Sequence, residues 1–294
     1  MDTTKITHLS LCSGYGGLDL GIKGVFGENV RTVAYAEIEA FAIECLLARM
    51  EGGQLDAAPI SPNLKSFPWE AFSDRVDILS GGYPCQPFSA AGKRLGTEDP
   101  RHLWPFIADG IRIMRPKLCF FENVEGHISL GLREVVGELE SMGYQVSWGI
   151  FSAREVGAPH QRKRVFILAN LRGAGLSRHW GFEQIGLAQG RTVEVGHVAA
   201  TSGFAIQTIE RKAWPSRPGE LQNEWEPPRQ VIPNAQPSLG GDFDGTASGM
   251  DYAKLCISCD SRNDELRLLG NGVVPATATK AFITLWNELN QHTL

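Results

Sequence analysis

Three kinds of reactive side chain stand where predicted strands begin or end. Cys85 follows a short apolar run and opens a loop of small residues in GGYPCQPFSAAGKRLG, whereas a structural cysteine would lie inside the run. Such a thiol can be partly ionised, and the thiolate is the attacking form. Glu122 ends a second apolar strand in FFENVEG, and Arg162 and Arg164 are predicted on one face where the strand in APHQRKRVFILA begins. Together these residues supply a nucleophile, a proton donor and a cation.

A glycine-rich turn in LSLCSGYGGLDLG separates the first predicted strand from the first helix. Gly14, Gly16 and Gly17 would let the backbone approach a nucleotide-like ligand, and the helix start offers amide donors to an anionic group. Glu37 ends the next strand about 20 residues further on, where a carboxylate can bind both hydroxyls of a ribose. The pattern indicates a nucleotide cofactor, although a plain tight turn and a solvated helix start would also fit.

The elements that position these residues alternate in the first half of the chain. Strands are predicted in ITHLSL, VRTVAYA, VDILS, LCFFEN, YQVSWGIF and RVFILA. Helices are predicted over 104–114, over 132–143 and, at the end of the chain, over 278–289. This order predicts an α/β fold with a mostly parallel sheet, in which Cys85 and Glu122 share the ligand-binding edge.

The alternation disappears in a stretch rich in Gly, Pro, Gln and Trp and then returns. We therefore predict a large α/β domain made of residues 1–171 and 262–294, and a smaller, loop-rich domain over residues 172–261.

Composition limits the classes of partner and compartment. The 294 residues carry a net charge of −5, so the chain has no global attraction to nucleic acid, and such a partner would need a locally basic cleft. The six scattered cysteines predict free thiols and a cytoplasmic location. We expect no signal peptide, no membrane helix and no metal, since the CISC pair lacks further ligands for zinc.

The motifs SGYGGLDLG, PCQPFS, ENV, RKR and GNGVVP occur in the order and approximate spacing of the DNA cytosine-5 methyltransferase family. The resemblance covers nearly the whole chain outside residues 172–260. It implies a Rossmann-like S-adenosylmethionine-dependent methyltransferase sheet, with residues 172–261 as a target-recognition domain. It also implies an enzyme of the bacterial or phage restriction-modification type that acts on double-stranded DNA.

The resemblance assigns the catalytic roles. The target cytosine would be flipped out of the duplex, and Cys85 would attack carbon 6 of the ring. Glu122 would hold or protonate nitrogen 3, Arg164 would bind the cytosine oxygen, Arg162 would hold a loop or a phosphate, and Asn123 would position the catalytic loop. Carbon 5 would then take the methyl group of S-adenosylmethionine, which leaves S-adenosylhomocysteine.

The resemblance also assigns cofactor-binding residues in several segments of the chain. They are Gly14, Tyr15, Gly16, Gly17 and Leu18 at the methionine end, Glu37 at the ribose, Ile38 at the adenine, and Asn63, Leu103, Asn271 and Val273 elsewhere in the pocket. Cys12 stands where the family usually has a stacking phenylalanine, and Asn63 replaces an acidic residue that reads the adenine amine. We expect both departures to affect cofactor affinity rather than the type of reaction.

The sequence is also compatible with other functions. A cytosine-5 enzyme acting on tRNA would share the mechanism, and a catalytically silent nucleotide-binding or DNA-binding homologue would share the fold. A thiol hydrolase would need a histidine partner for Cys85, and the sequence singles none out. We expect a monomer that binds no membrane, with a restriction endonuclease for the same site as a possible partner.

Overall fold

The computed structural model describes residues 5–84, 103–158, 160–174, 268 and 270–291. Its strands are β1 (Ile6–Leu11), β2 (Val30–Ala36), β3 (Ile60–Ser61), β4 (Ile78–Gly81), β5 (Leu118–Val124), β6 (Tyr144–Ser152) and β7 (Lys163–Leu171). Its helices are α1 (Gly17–Phe26), α2 (Ala40–Glu51), α3 (Trp104–Met114), α4 (His127–Leu130), α5 (Leu132–Ser141) and α6 (Pro275–Gln291). Cys85 and almost all of the predicted target-recognition domain lie outside the described residues.

The strands form one seven-stranded sheet in the order β3-β2-β1-β4-β5-β7-β6. Strands β1 to β5 run parallel, and β7 pairs antiparallel with both β5 and β6. The strand order reverses between β1 and β4, which is the point where open α/β sheets bind their ligands. The predicted Rossmann-like α/β sheet with a mostly parallel core is therefore confirmed.

Helices cover the sheet on both faces, which explains why the first four residues of β5 are all apolar. Leu118 and Phe120 pack on the face that α1 and α6 cover, whereas Cys119 and Phe121 pack on the face that α3 and α5 cover. All four side chains have no solvent exposure. A central strand covered on both sides needs apolar residues at successive positions rather than at alternate ones.

The predicted terminal helix is confirmed as α6, which packs on α1. Phe282 meets Phe26 edge to face with ring centroids 5.4 Å apart. A Cβ atom on Gly21 would come within 2.5 Å of the Ala278 side chain, so glycine permits the close approach of the two helices. This packing brings the segment just before α6 to the glycine-rich turn. No helix in the described part of the chain is long and apolar enough to span a membrane.

Candidate active site

A cavity of about 730 Å³ opens at the carboxyl ends of β1, β2, β4 and β5, where the strand order reverses. Glu122 lines this cavity together with most of the predicted cofactor residues. Those residues are Gly14, Tyr15, Gly17, Leu18, Glu37, Ile38, Asn63, Leu103, Asn271 and Val273. Its size suits a nucleotide-like small molecule, since such sites commonly enclose roughly 300–1,000 Å³.

The glycine-rich turn has a backbone conformation that residues other than glycine could adopt only with strain. Gly14 and Gly16 have φ angles of +56° and +82°, in the left-handed region that favours glycine. At Gly17 the constraint is space, because a Cβ atom there would lie 2.2 Å from the Val273 carbonyl oxygen. The structure places Gly16 against Leu55 rather than on the cavity wall, so its predicted contact with a cofactor gains no support from the cavity lining.

Glu37 holds the turn and the following segment together through its carboxylate. Oε2 accepts a hydrogen bond of 2.7 Å from the Gly14 amide, and Oε1 accepts from the amides of Ile38 and Glu39 at 2.8 and 2.9 Å. A carboxylate has about four lone-pair positions, so three are already in use. Any ribose hydroxyl bound here would share an already ordered acceptor.

Three further residues line the part of the cavity assigned to the adenine. Ile38 is 74% exposed, so its apolar surface is available to cover a planar ring. Burial, with a smaller contribution from the charge of Glu37, raises the pKa of Cys12 to about 12, so its thiol stays neutral. Asn63 Oδ1 accepts from the Lys65 amide at 3.0 Å, which fixes that side chain beside the cavity.

The late segment, residues 270–273, borders the cavity through its last three residues. Hydrogen bonds from distant parts of the chain hold this segment in place. Tyr15 Oη donates to the Val273 carbonyl at 2.6 Å. Arg162 Nη2 donates to the carbonyls of Gly270 and Gly272 at 3.1 and 2.5 Å, and Arg164 Nη2 donates to that of Gly270 at 3.2 Å. These bonds join the late segment to the glycine-rich turn and to the start of β7.

The sequence predicts Arg162 and Arg164 on one face at the start of the strand, but only Arg164 lies within β7. Strand β7 starts at Lys163, and Arg162 precedes it with a φ of +38°. Their guanidinium groups nevertheless converge on the Gly270 carbonyl. A change of backbone conformation one residue before the strand, which spacing alone does not reveal, explains the difference.

Glu122 and Arg164 form the charged centre of the site. Arg164 Nε lies 3.0 Å from Glu122 Oε1, and the glutamate is only 5% exposed. Burial raises the pKa of Glu122 to about 7, while the positive charges of Arg164 and Arg162 oppose that shift. The other oxygen, Oε2, would lie 3.2 Å from a Cβ atom on Gly82, three residues before Cys85. The carboxyl group can therefore exchange a proton near neutral pH.

Asn123 joins the end of β5 to the segment that leads into Cys85. Its Nδ2 donates to the Tyr83 carbonyl at 3.0 Å, and its Oδ1 accepts from the Val124 amide at 2.9 Å. The Tyr83 hydroxyl lies 3.0 Å from Nε2 of the buried His127. Burial lowers the pKa of His127 to about 4, so this ring is neutral at physiological pH.

Ser10, Ser13 and Phe41 are among the cavity-lining residues that were not predicted from the sequence. Both serines lie within the same LSLCSGYGG stretch as the glycines, and their position at the end of a strand was the available signal. Phe41 follows Ile38 at helical spacing, but Ile38 precedes α2, which begins at Ala40, so a shared helical face does not explain why both line the cavity. Across the residues that the structure describes, no group of three His, Cys, Asp or Glu side chains could hold a metal ion.

Known proteins are similar to this chain in sequence. The model of the family described as C-5 cytosine-specific DNA methylase matches residues 6–212. The type II methyltransferase M1.ScrFI of Lactococcus lactis subsp. cremoris is 32% identical over 72% of this chain and 53% of its own. M.NgoMIV of Neisseria gonorrhoeae, also named a type II methyltransferase, is 32% identical over 56% of this chain and 52% of its own.

Among solved structures, the S. pombe Dnmt2 methyltransferase matches 57% of this chain and 51% of its own with 23% identity and a TM-score of 0.48. The chain thus spans about half the length of the relatives it matches. The family match extends over more than two thirds of the chain and includes the glycine-rich turn, Glu122 and both arginines. The chain belongs to the C-5 cytosine-specific DNA methylase family.

Proposed function

We propose that this protein transfers a methyl group from S-adenosylmethionine to carbon 5 of cytosine within a specific double-stranded DNA sequence. The observation that carries the proposal is that Glu122, a buried carboxyl group with a pKa near 7, lines the same cavity as the glycine-rich turn. An acid for the pyrimidine ring and a binding site for a methyl donor therefore meet in one space. The relatives named as type II methyltransferases support DNA as the substrate.

The residues around the cavity fit S-adenosylmethionine, which supplies an activated methyl group on a sulfonium centre. Glu37 offers a fixed carboxylate to the ribose hydroxyls, and Ile38 offers an exposed apolar side chain to the adenine. Gly17 and Leu18 lie at the start of α1 beside the cavity, where the amides at the positive pole of the helix would bind the carboxylate of the methionine end. Cys12 keeps a neutral thiol, which competes poorly for the methyl group because thiolates are the reactive form.

The chemistry begins with a cytosine flipped out of the stack, since its ring is otherwise inaccessible. The Cys85 thiolate adds to carbon 6, and protonated Glu122 gives a proton to nitrogen 3 as electrons move into the ring. Arg164 binds the ring oxygen and keeps a positive charge beside the carboxylate that forms. Carbon 5 then acts as a nucleophile toward the methyl group of S-adenosylmethionine, which would leave as S-adenosylhomocysteine. A base, which we propose is water, removes the proton from carbon 5, Cys85 leaves as thiolate, and nitrogen 3 returns its proton to the Glu122 carboxylate.

Asn123 and Arg162 position this machinery rather than react. Asn123 fixes the Tyr83 carbonyl two residues before the nucleophile, and Arg162 anchors the late segment through two carbonyls. Residues 172–261 would recognise the target sequence. We further propose that the protein acts as a monomer in the cytoplasm and that a restriction endonuclease recognises the same site, by analogy with the type II relatives.

Methyl-transfer assays on DNA and tRNA, run side by side with labelled S-adenosylmethionine, test the function. We expect labelled double-stranded DNA, unlabelled tRNA and no product with Cys85→Ser, because a hydroxyl is much less ionised than a thiol at neutral pH. Transfer to tRNA alone would keep the mechanism and replace the substrate. Cofactor binding without transfer to either nucleic acid would indicate a silent homologue.

A further inference from the structure

A buried carboxyl group lies beneath the glycine-rich turn and has no part in the chemistry proposed above. Asp19, in the first turn of α1, is 3% exposed. Its Oδ2 lies 3.0 Å from Ser10 Oγ, and Ser10 Oγ lies 2.9 Å from Ser13 Oγ. Both serines line the cofactor cavity. A chain of three side chains therefore connects a buried acid to the wall of the cavity.

The direction of the hydrogen bonds in this chain depends on the charge of Asp19. A hydroxyl carries one proton, so Ser10 can donate either to Asp19 or to Ser13 but not to both. Ionised Asp19 only accepts, so Ser10 donates to it and accepts from Ser13. Protonated Asp19 can donate to Ser10, which then donates to Ser13, while the Ser13 proton is directed to the Ser10 carbonyl at 3.2 Å or to the cavity.

These two arrangements present different groups to a ligand. With Asp19 ionised, Ser13 donates its proton to Ser10 and keeps both of its own lone pairs as acceptors. With Asp19 protonated, one of those lone pairs is occupied by Ser10, and Ser13 accepts less well from a ligand. A positively charged ligand group beside Ser13 therefore binds more tightly when Asp19 is ionised.

Among Asp19 and the charged groups around it, Asp19 is the one that titrates near neutral pH. Burial raises the pKa of Asp19 to about 7, and the hydrogen bond from Ser10 opposes that shift. His8 Nδ1 lies 3.7 Å from Asp19 Oδ1, but burial lowers the pKa of His8 to about 3, so its ring is neutral. Arg49 of α2 contributes a favourable positive charge, and Asp56 contributes an unfavourable negative one.

The remaining titratable neighbour is Tyr35 of β2, whose pKa is raised by burial and by Asp19, so it keeps its proton. His8 is further fixed by Thr32 Oγ1 at 2.9 Å and Ser80 Oγ at 2.7 Å, one at each ring nitrogen. Neither group changes charge between about pH 6 and about pH 8.

We propose that the Asp19–Ser10–Ser13 chain is a positioning element that sets the hydrogen-bond polarity of the Ser13 hydroxyl, so that the cationic methionine end of the methyl donor binds more tightly when Asp19 is ionised. This inference rests on the proposed function of the cavity. It assigns to Asp19 and both serines a role in cofactor affinity rather than in the transfer step.

Calorimetric titration of the protein with S-adenosylmethionine between about pH 6 and about pH 8 tests the inference. In the unsubstituted protein we expect the dissociation constant to fall roughly fivefold as pH rises through about 7, the change that one hydrogen bond produces. Glu122, whose pKa is also about 7, lines the same cavity, but its contribution and that of the cofactor amine are common to every protein and cancel in ratios between proteins. Asp19→Asn and Ser13→Ala should therefore both lack the fivefold fall relative to the unsubstituted protein and bind as weakly as that protein does at low pH.

Asp77→Asn is the matched control, since Asp77 also bonds to a hydroxyl, that of Thr7, but at the amino-terminal end of β4. It should keep the full pH dependence. An unchanged dependence in Asp19→Asn would overturn the inference. If circular dichroism shows that this variant is unfolded, Ser13→Ala at the cavity wall decides alone by the same criterion. No binding by the unsubstituted protein at any pH would contradict the proposed function instead.

Discussion

Arg164 Nε and Glu122 Oε1 lie 3.0 Å apart across the antiparallel pair β5 and β7. Arg164 is opposite Val124, two residues beyond Glu122, so both charged side chains project from the same face of the sheet. The register of β7 against β5 therefore places a permanent cation beside an acid whose pKa is about 7. This pair can supply a proton and then stabilise the carboxylate that remains.

Glu122→Gln should reduce methyl transfer by roughly 10²- to 10⁴-fold, because an amide of the same shape cannot give a proton to the ring. Cofactor affinity should change less than twofold, since Glu37 and the glycine-rich turn are intact. Single-turnover assays and calorimetry measure the two quantities. Glu125→Gln, at an exposed residue three positions later, is the control and should retain full activity. Near-normal turnover by Glu122→Gln would remove this residue from the mechanism.

The same variant should change how stability depends on pH. The pKa of Glu122 is about 7 in the folded protein and 4.5 when unperturbed, so its contribution to folding is fully present below about pH 4.5 and is lost as pH rises through about 7. Relative to the unsubstituted protein, Glu122→Gln should therefore gain on the order of 3 kcal/mol between these limits. Urea unfolding at a series of pH values measures this difference, and parallel curves for the two proteins would contradict the raised pKa.

Glu37→Ala should weaken S-adenosylmethionine binding by roughly 1 to 3 kcal/mol, the usual cost of unpaired hydrogen-bond partners. It should also lower thermal stability, because three backbone amides lose their acceptor. Glu37→Gln keeps an oxygen for two of those amides and should fall between the two proteins in both measurements. Calorimetry that shows unchanged affinity for Glu37→Ala would refute the ribose assignment.

Substitutions of Gly272 and Gly270 give a matched test of whether the late segment packs on Tyr15. A Cβ atom on Gly272 would overlap the buried ring of Tyr15 at 1.8 Å, whereas one on Gly270 would meet no atom within 4 Å. Gly272→Ala should cost roughly 1–3 kcal/mol of stability through overpacking and should weaken cofactor binding. Gly270→Ala should stay within about 0.5 kcal/mol of the unsubstituted protein. Equal unfolding midpoints for both variants would show that the segment does not dock on Tyr15 in solution.

The regular elements could be predicted well where local sequence alone determines them. Strands Ile6–Leu11 and Val30–Ala36 have the predicted bounds, because each apolar run ends at turn-forming or charged residues. Helix Trp104–Met114 also agrees, since Pro105 suits its first turn. The two-residue strand β3 escaped prediction because it carries too few residues to show a period.

The site was less predictable where it depends on contacts between distant residues. The glycines, Glu37 and Glu122 stood out by their types and their places at strand ends, and the cavity brings most of them together. No sequence pattern indicates that Arg162 and Arg164 bind the Gly270 carbonyl, more than a hundred residues away. The link from Asp19 through Ser10 to Ser13 was equally hidden, because it depends on how α1 packs over β1.

Covalent trapping tests directly whether methyl transfer proceeds through a cysteine adduct on cytosine. An oligonucleotide duplex with 5-fluorocytosine at the target position should be methylated once and stay attached, because fluorine cannot leave carbon 5 as a proton does. The target position comes from sequencing DNA methylated by the protein. We expect an adduct that requires S-adenosylmethionine, survives denaturing electrophoresis and maps by mass spectrometry to the peptide that contains Cys85. Methylation of ordinary DNA without such an adduct, or an adduct at another cysteine, would contradict this mechanism.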